Sequence, residues 1–79
     1  MWYRQLFPTA PEWAVWLCAY LFDVADKARQ ARDQHRAILF AEAGSRIFNL
    51  LQLHQLGGKI EIERAFREVI EALTGYSAT

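Results

Sequence analysis

The chain has 79 residues, 53% of them hydrophobic, and nine Lys/Arg balance nine Asp/Glu. That composition excludes disorder, and the zero net charge removes any global field toward nucleic acid or anionic lipid. The single cysteine, Cys18, makes no internal disulfide, and no Cys/His set has zinc-site spacing.

A chain this short buries only about 60% of its unfolded surface. With no disulfide or metal to add stability, self-association into a homodimer is the expected remaining source. One helical domain over residues 1–79 is expected, and seven of its eleven aromatic residues lie in the first 22 positions.

Residues 1–10 read as an apolar arm that closes on Phe7-Pro8-Thr9-Ala10-Pro11, where the prolines favour extended backbone before them. Pro11 suits the first turn of a helix, and Glu12 behind it complements the helix dipole. Residues 13–22 form an unbroken apolar run of ten, too short for a hydrocarbon core roughly 30 Å thick. As an export signal the run has the wrong flank: Pro8, Pro11 and Glu12, with Arg4 alone for charge. Leu17 before Cys18 also breaks a lipoprotein site. A cytoplasmic, reduced protein is expected.

Residues 11–43 hold no glycine after Pro11 and no further proline, and their composition favours one long helix. Apolar residues recur at Trp13, Trp16/Leu17, Tyr20/Leu21, Val24, Ala28, Ala31 and Ile38, spacing that predicts an inner stripe. Ile47, Leu50, Leu51 and His54 fall on a different face, so the helix must break. Gly44-Ser45 offers a C′ glycine followed by an N-cap serine; a turn near Asp23–Asp26 is the runner-up. A second helix over 45–56 ends at Gly57-Gly58. A third over 60–74 carries Ile62, Phe66, Val69 and Leu73, stops at Thr74-Gly75 and leaves a tail over 75–79. No stretch alternates long enough for a sheet, so the predicted fold is an all-α bundle of about three helices. Between residues 26 and 36 the stripe offers only alanines, which predicts a close helix contact across a dimer or a solvent bridge between two apolar ends.

No constellation carries catalysis. Cys18 sits inside WLCAYLF as a small buried hydrophobe rather than an activated thiolate. Asp23, Asp26, Asp33, His35 and Glu42 lack the Glu-x-x-His pairs of a helical metal site. Leu56-Gly57-Gly58-Lys59 is too short for a phosphate loop. His54 reads as a packed, hydrogen-bonded histidine. Neither cofactor nor metal is expected.

The sequence therefore points to a non-catalytic module that binds or occludes a protein partner, in the manner of an adaptor, an anti-activator or a phage-type inhibitor of host machinery. Its predicted contacts are Trp2, Tyr3, Arg4, Phe7 and Phe22, which fall off the inner stripe; a lid folded back over the bundle is the competing role for these rings. The alternative is a nucleic-acid-binding dimer using Arg29, Arg32, Arg36 and Arg46, although interleaved acids make that face read as solvated. A third reading inserts Trp2, Tyr3, Phe7 and Trp13 at a lipid interface.

Overall fold

The computed structural model describes residues 5–58 and 61–78, with side chains through Leu73. Three helices follow one another: α1, Glu12–Gln30; α2, Gln34–Gln55; and α3, Ile62–Ala78. No strand occurs among the described residues. The all-α, three-helix expectation holds, as does the stop of the second helix at Gly57-Gly58; the first break and the end of the third helix lie elsewhere than expected.

The first break falls at residues 31–33, between the two positions favoured from sequence. Here α1 ends in a Schellman motif, in which two backbone N–H groups turn back to satisfy the last free carbonyls. The Asp33 N–H donates to the Ala28 carbonyl at 2.9 Å and the Arg32 N–H to that of Arg29 at 3.0 Å. Such a motif needs one left-handed residue, usually glycine, and Arg32 takes that role with φ 62°. The Asp33 carboxylate then accepts from the Arg36 N–H at 3.2 Å and caps α2. The same motif closes α2 with the expected residue: Gly57 at φ 84° donates to His54, and Gly58 donates to Leu53.

Arg32→Gly is thus expected to stabilise the protein by about 0.5–1 kcal/mol, since it relieves the left-handed strain but frees the unfolded chain. Urea denaturation of the two proteins checks the sign; a destabilised variant would mean that the Arg32 side chain itself holds the turn.

Gly44-Ser45 does not break the chain; α2 runs straight through it. Likewise α3 passes Thr74-Gly75 and continues to Ala78. One helical glycine costs only about 1 kcal/mol, so without a following cap it need not stop a helix.

Two turns set the topology. α1 and α2 form an antiparallel hairpin, fixed at its open end by the Thr9 hydroxyl donating to Gln55 Oε1 at 2.8 Å. The seam on α1 is Ala14, Cys18, Leu21, Ala25 and Ala28, all buried at alternating four- and three-residue steps. Ala37, Gly44, Ile47 and Leu51 answer it from α2, with Phe40 partly buried in the same register. That is coiled-coil spacing. The alanines near the turn therefore pack helix on helix within one chain, not across a dimer or through solvent. α3 closes the open end with Phe66, Val69 and Leu73 buried, and Ile62 and Ile70 partly so.

Pro11 is the N-cap of α1 rather than its first residue, its carbonyl accepting from Ala14 and Val15. Gln5 and Leu6 are helical, and the Ala10 N–H donates back to the Phe7 carbonyl at 3.2 Å. The described part of the arm is accordingly folded rather than extended, and Phe7 and Ala10 join the core.

Candidate interaction surface

Size chooses which side of α1 meets α2. Residues 13–22 are apolar around most of the helix circumference, so hydrophobicity alone leaves the phase open. Small residues at 14, 18, 25 and 28 let the backbones approach, and interaxial distance depends on the side chains at the contact. The largest rings are turned outward as a result. Trp13, Trp16 and Tyr20 remain 44%, 56% and 47% exposed, against 0–8% along the seam. These three were expected on the inner stripe, as were Ala31 and Ile38, both of which are exposed.

The three rings form a continuous ridge at helical spacing. Trp16 and Tyr20 stack with centroids 5.2 Å apart and planes inclined by 12°. Trp13 borders α3, meeting Phe66 edge-on at 5.3 Å and 82°. Leu17 and Val24 lie partly buried beside the ridge, and Glu12 and Lys27 stand exposed toward its two ends. Lys27 Nζ pairs with Asp23 at 3.0 Å. Mutual stacking holds Trp16 and Tyr20 in place before any partner arrives, which lowers the ordering cost of a contact.

The residues expected to bind a partner lie elsewhere. Trp2, Tyr3 and Arg4 fall outside the described residues. Phe7 is 3% exposed and packs edge-on against Phe48 at 5.2 Å and 77°. Its role is core, as the lid reading had it. Phe22 is half-buried, its ring lying over Gly44. Leu6, Phe7, Phe48, Gln52, Gln55 and Leu56 line an open groove of about 230 Å³, smaller than the roughly 300–1,000 Å³ usual for ligand sites.

The arginines share no helix face. Arg29 ends α1 and pairs with Asp26 at 2.9 Å, Arg32 occupies the turn, and Arg36 begins α2 with its guanidinium 5.5 Å from the Phe40 ring centre. Arg46 stands exposed ten residues farther along α2, about 15 Å away at helical rise. Acids are interleaved throughout: Asp23 holds Lys27, Asp26 holds Arg29, and Asp33 caps α2.

Cys18 is fully buried, and burial pushes its thiol up to about 11. At neutral pH it is a packed thiol rather than a nucleophile. Its contribution to stability is complete below the unfolded pKa of 9.0 and is lost as pH rises toward 11. His54, expected to be packed and hydrogen-bonded, is half-buried, and its Nδ1 has no hydrogen-bond partner among the described residues. Among those residues no three His, Cys, Asp or Glu stand together as metal ligands would, and no helix is long and apolar enough to cross a membrane.

Comparison of the chain with protein-family models, curated proteins and solved structures gave no match.

The ridge was legible in one respect that hydrophobic periodicity passes over. Ala14, Cys18, Leu21, Ala25 and Ala28 form a strict heptad seam of mostly small residues. That pattern marks the close-packed side and, by difference, leaves the tryptophans outside.

Proposed function

We propose that this chain is a small, non-catalytic, cytoplasmic interaction module that binds or occludes a protein partner through the aromatic ridge of α1. Adaptors, anti-activators and phage-type inhibitors of host machinery are the kinds of protein that work this way. One observation carries the reading: two tryptophans and a tyrosine stand about half exposed in a row on a helix whose other side is packed. Tryptophan and tyrosine dominate interface hot spots, and contiguous exposed apolar surface in soluble proteins marks interaction sites. The contact residues become Trp13, Trp16 and Tyr20. Phe7 is committed to the core. The arginine reading has less support, because Arg29, Arg32, Arg36 and Arg46 share no helix face and Arg29 is already paired with Asp26.

Site-specific photocrosslinking tests it. A photoreactive phenylalanine analogue replacing Trp16 should capture protein in the cells that make the chain, while the same analogue at exposed Glu42 on α2 should not. Equal capture from both positions, or none from position 16, would discard the ridge as the contact surface.

A further inference from the structure

We infer that the ridge receives the guanidinium of an arginine-bearing segment of another protein, seated between the outer face of Trp16 and the Glu12 carboxylate. This rests on the reading of the ridge as an interaction surface and gives that surface's partner its chemistry.

The two stacked rings turn their free faces along α1. Their centres lie 5.2 Å apart with planes inclined by 12°, and four residues rise about 6 Å along a helix, so the rings stack along the helix axis. Each gives one face to the other. The outer face of Trp16 therefore looks toward the level of Glu12, and that of Tyr20 toward the level of Asp23. Glu12, Trp16, Tyr20 and Asp23 all stand exposed on one side of α1, at steps of four, four and three residues.

Charge identifies what those faces take. The face of an aromatic ring carries the negative part of its quadrupole, and here each outer face has a carboxylate one turn away. Ring face and carboxylate are alike in sign, and a cation between them is attracted by both. At the Tyr20 end Lys27 already answers Asp23, at 3.0 Å. Glu12 enters no ion pair among the described residues, which leaves the Trp16 end of the row with a negative charge to be matched. A guanidinium suits that place better than an ammonium. It is planar, stacks on aromatic faces, is more weakly hydrated and offers a carboxylate two parallel N–H groups.

Area sets the scale of the contact. Aromatic side chains can bury roughly 150–250 Å² each, so three rings left about half exposed hold back about 300 Å². Stable interfaces start near about 600 Å² per partner, and a second copy of the chain would bring two more carboxylates to the same face. The ridge fits instead a small, transient contact, steered by charge and held by a few side chains of the partner.

Nuclear magnetic resonance titration tests this, read on the Trp16 indole N–H and the backbone amides of α1. The probe is an alanine-based helical peptide with arginine at every fourth position; its control carries norleucine there. The arginine peptide should shift these signals saturably, with a Kd below about 1 mM at low salt, and should bind more weakly as salt is raised. The norleucine peptide should not bind. Trp16→Leu keeps an apolar side chain but removes the ring face, and should weaken binding at least fivefold. Glu12→Gln should weaken it severalfold, and Glu42→Gln on α2 should leave it unchanged, with circular dichroism showing the same helicity in all three variants.

No shift with the arginine peptide overturns the inference, as does equal binding of the norleucine peptide, which would make the ridge a purely apolar docking face. Binding that survives both Trp16→Leu and Glu12→Gln overturns it too, since the cation would then sit elsewhere. Shifts of the same signals on concentrating the chain alone, with none from the peptide, would give the face to a second copy. The two readings fail separately: a position 16 that captures protein in cells while the arginine peptide leaves the ridge untouched keeps the interaction module and ends the guanidinium. Peptide binding that depends on Trp16 and Glu12, with no capture in cells, does the reverse.

Discussion

Replacing Phe66 by alanine is expected to cost about 4 kcal/mol and to release α3 from the hairpin. Phe66 is 2% exposed, the largest fully buried side chain described, and its ring meets the edge of Trp13 at 5.3 Å. Truncation removes both the transfer term and the filling of a cavity between helices that cannot collapse without losing Val69 and Leu73 as well. A core in a chain of this size supplies only about 3–5 kcal/mol in net stability, so the variant should be largely unfolded in water at room temperature. Far-ultraviolet circular dichroism with urea titration reads the loss. Phe66→Leu, which keeps most of the volume, should cost less than about 2 kcal/mol and remain folded. Equal and small effects from both would show that α3 is not docked through this ring.

Gly44→Val is the second large effect, at about 3 kcal/mol. Gly44 lies buried in the middle of α2, opposite α1. A Cβ built there would stand 3.1–3.2 Å from three carbons of the Phe22 ring. Alanine gains helix propensity of about 1 kcal/mol, which the ring's displacement offsets, so Gly44→Ala should be close to neutral. Valine adds two more carbons on a branched Cβ and forces the helices apart. The diagnosis is specific to Phe22, and in a Phe22→Ala background the cost of Gly44→Val should fall by about 1–2 kcal/mol. Additive costs in that cycle would place the clash elsewhere.

The same glycine shows why the helix boundaries escaped sequence reasoning. A glycine between two apolar phases looks like a hinge, because glycine ends helices. Gly44 serves instead as the place where two backbones come close, a role that depends on a residue 22 positions earlier. The true hinge at Arg32 carries no turn residue at all. Its left-handed backbone is held by two N–H bonds and by the Asp33 cap that follows, and Asp33 was read from sequence only among the acids weighed for a metal site. The turn at Gly57-Gly58 was legible because there the usual residue fills the usual position.

For the proposed contact surface the difficulty was phase. The aromatic abundance near the N-terminus was plain, and it suggested a partner. Which rings remain outside was not legible by hydrophobicity, since Trp13, Trp16 and Tyr20 rank with Val15 and Leu21 as apolar residues. Their bulk excludes them from a seam built on Ala14, Cys18, Ala25, Ala28 and Gly44. Phe7 makes the opposite case: in a proline-rich arm it looked available, yet folding of that arm places it on Phe48.

Composition, the absence of alternating segments and the near-heptad spacing of Ile62, Phe66, Val69 and Leu73 determined by themselves that the chain is all-helical and that α3 is amphipathic. These are local properties, set by propensity and by the 3.6-residue period. Tertiary structure decided where α1 ends, which of its faces is core and which aromatic residues meet solvent. Each of those depends on how closely two helices far apart in sequence can approach, and side-chain size at the crossing governs that distance.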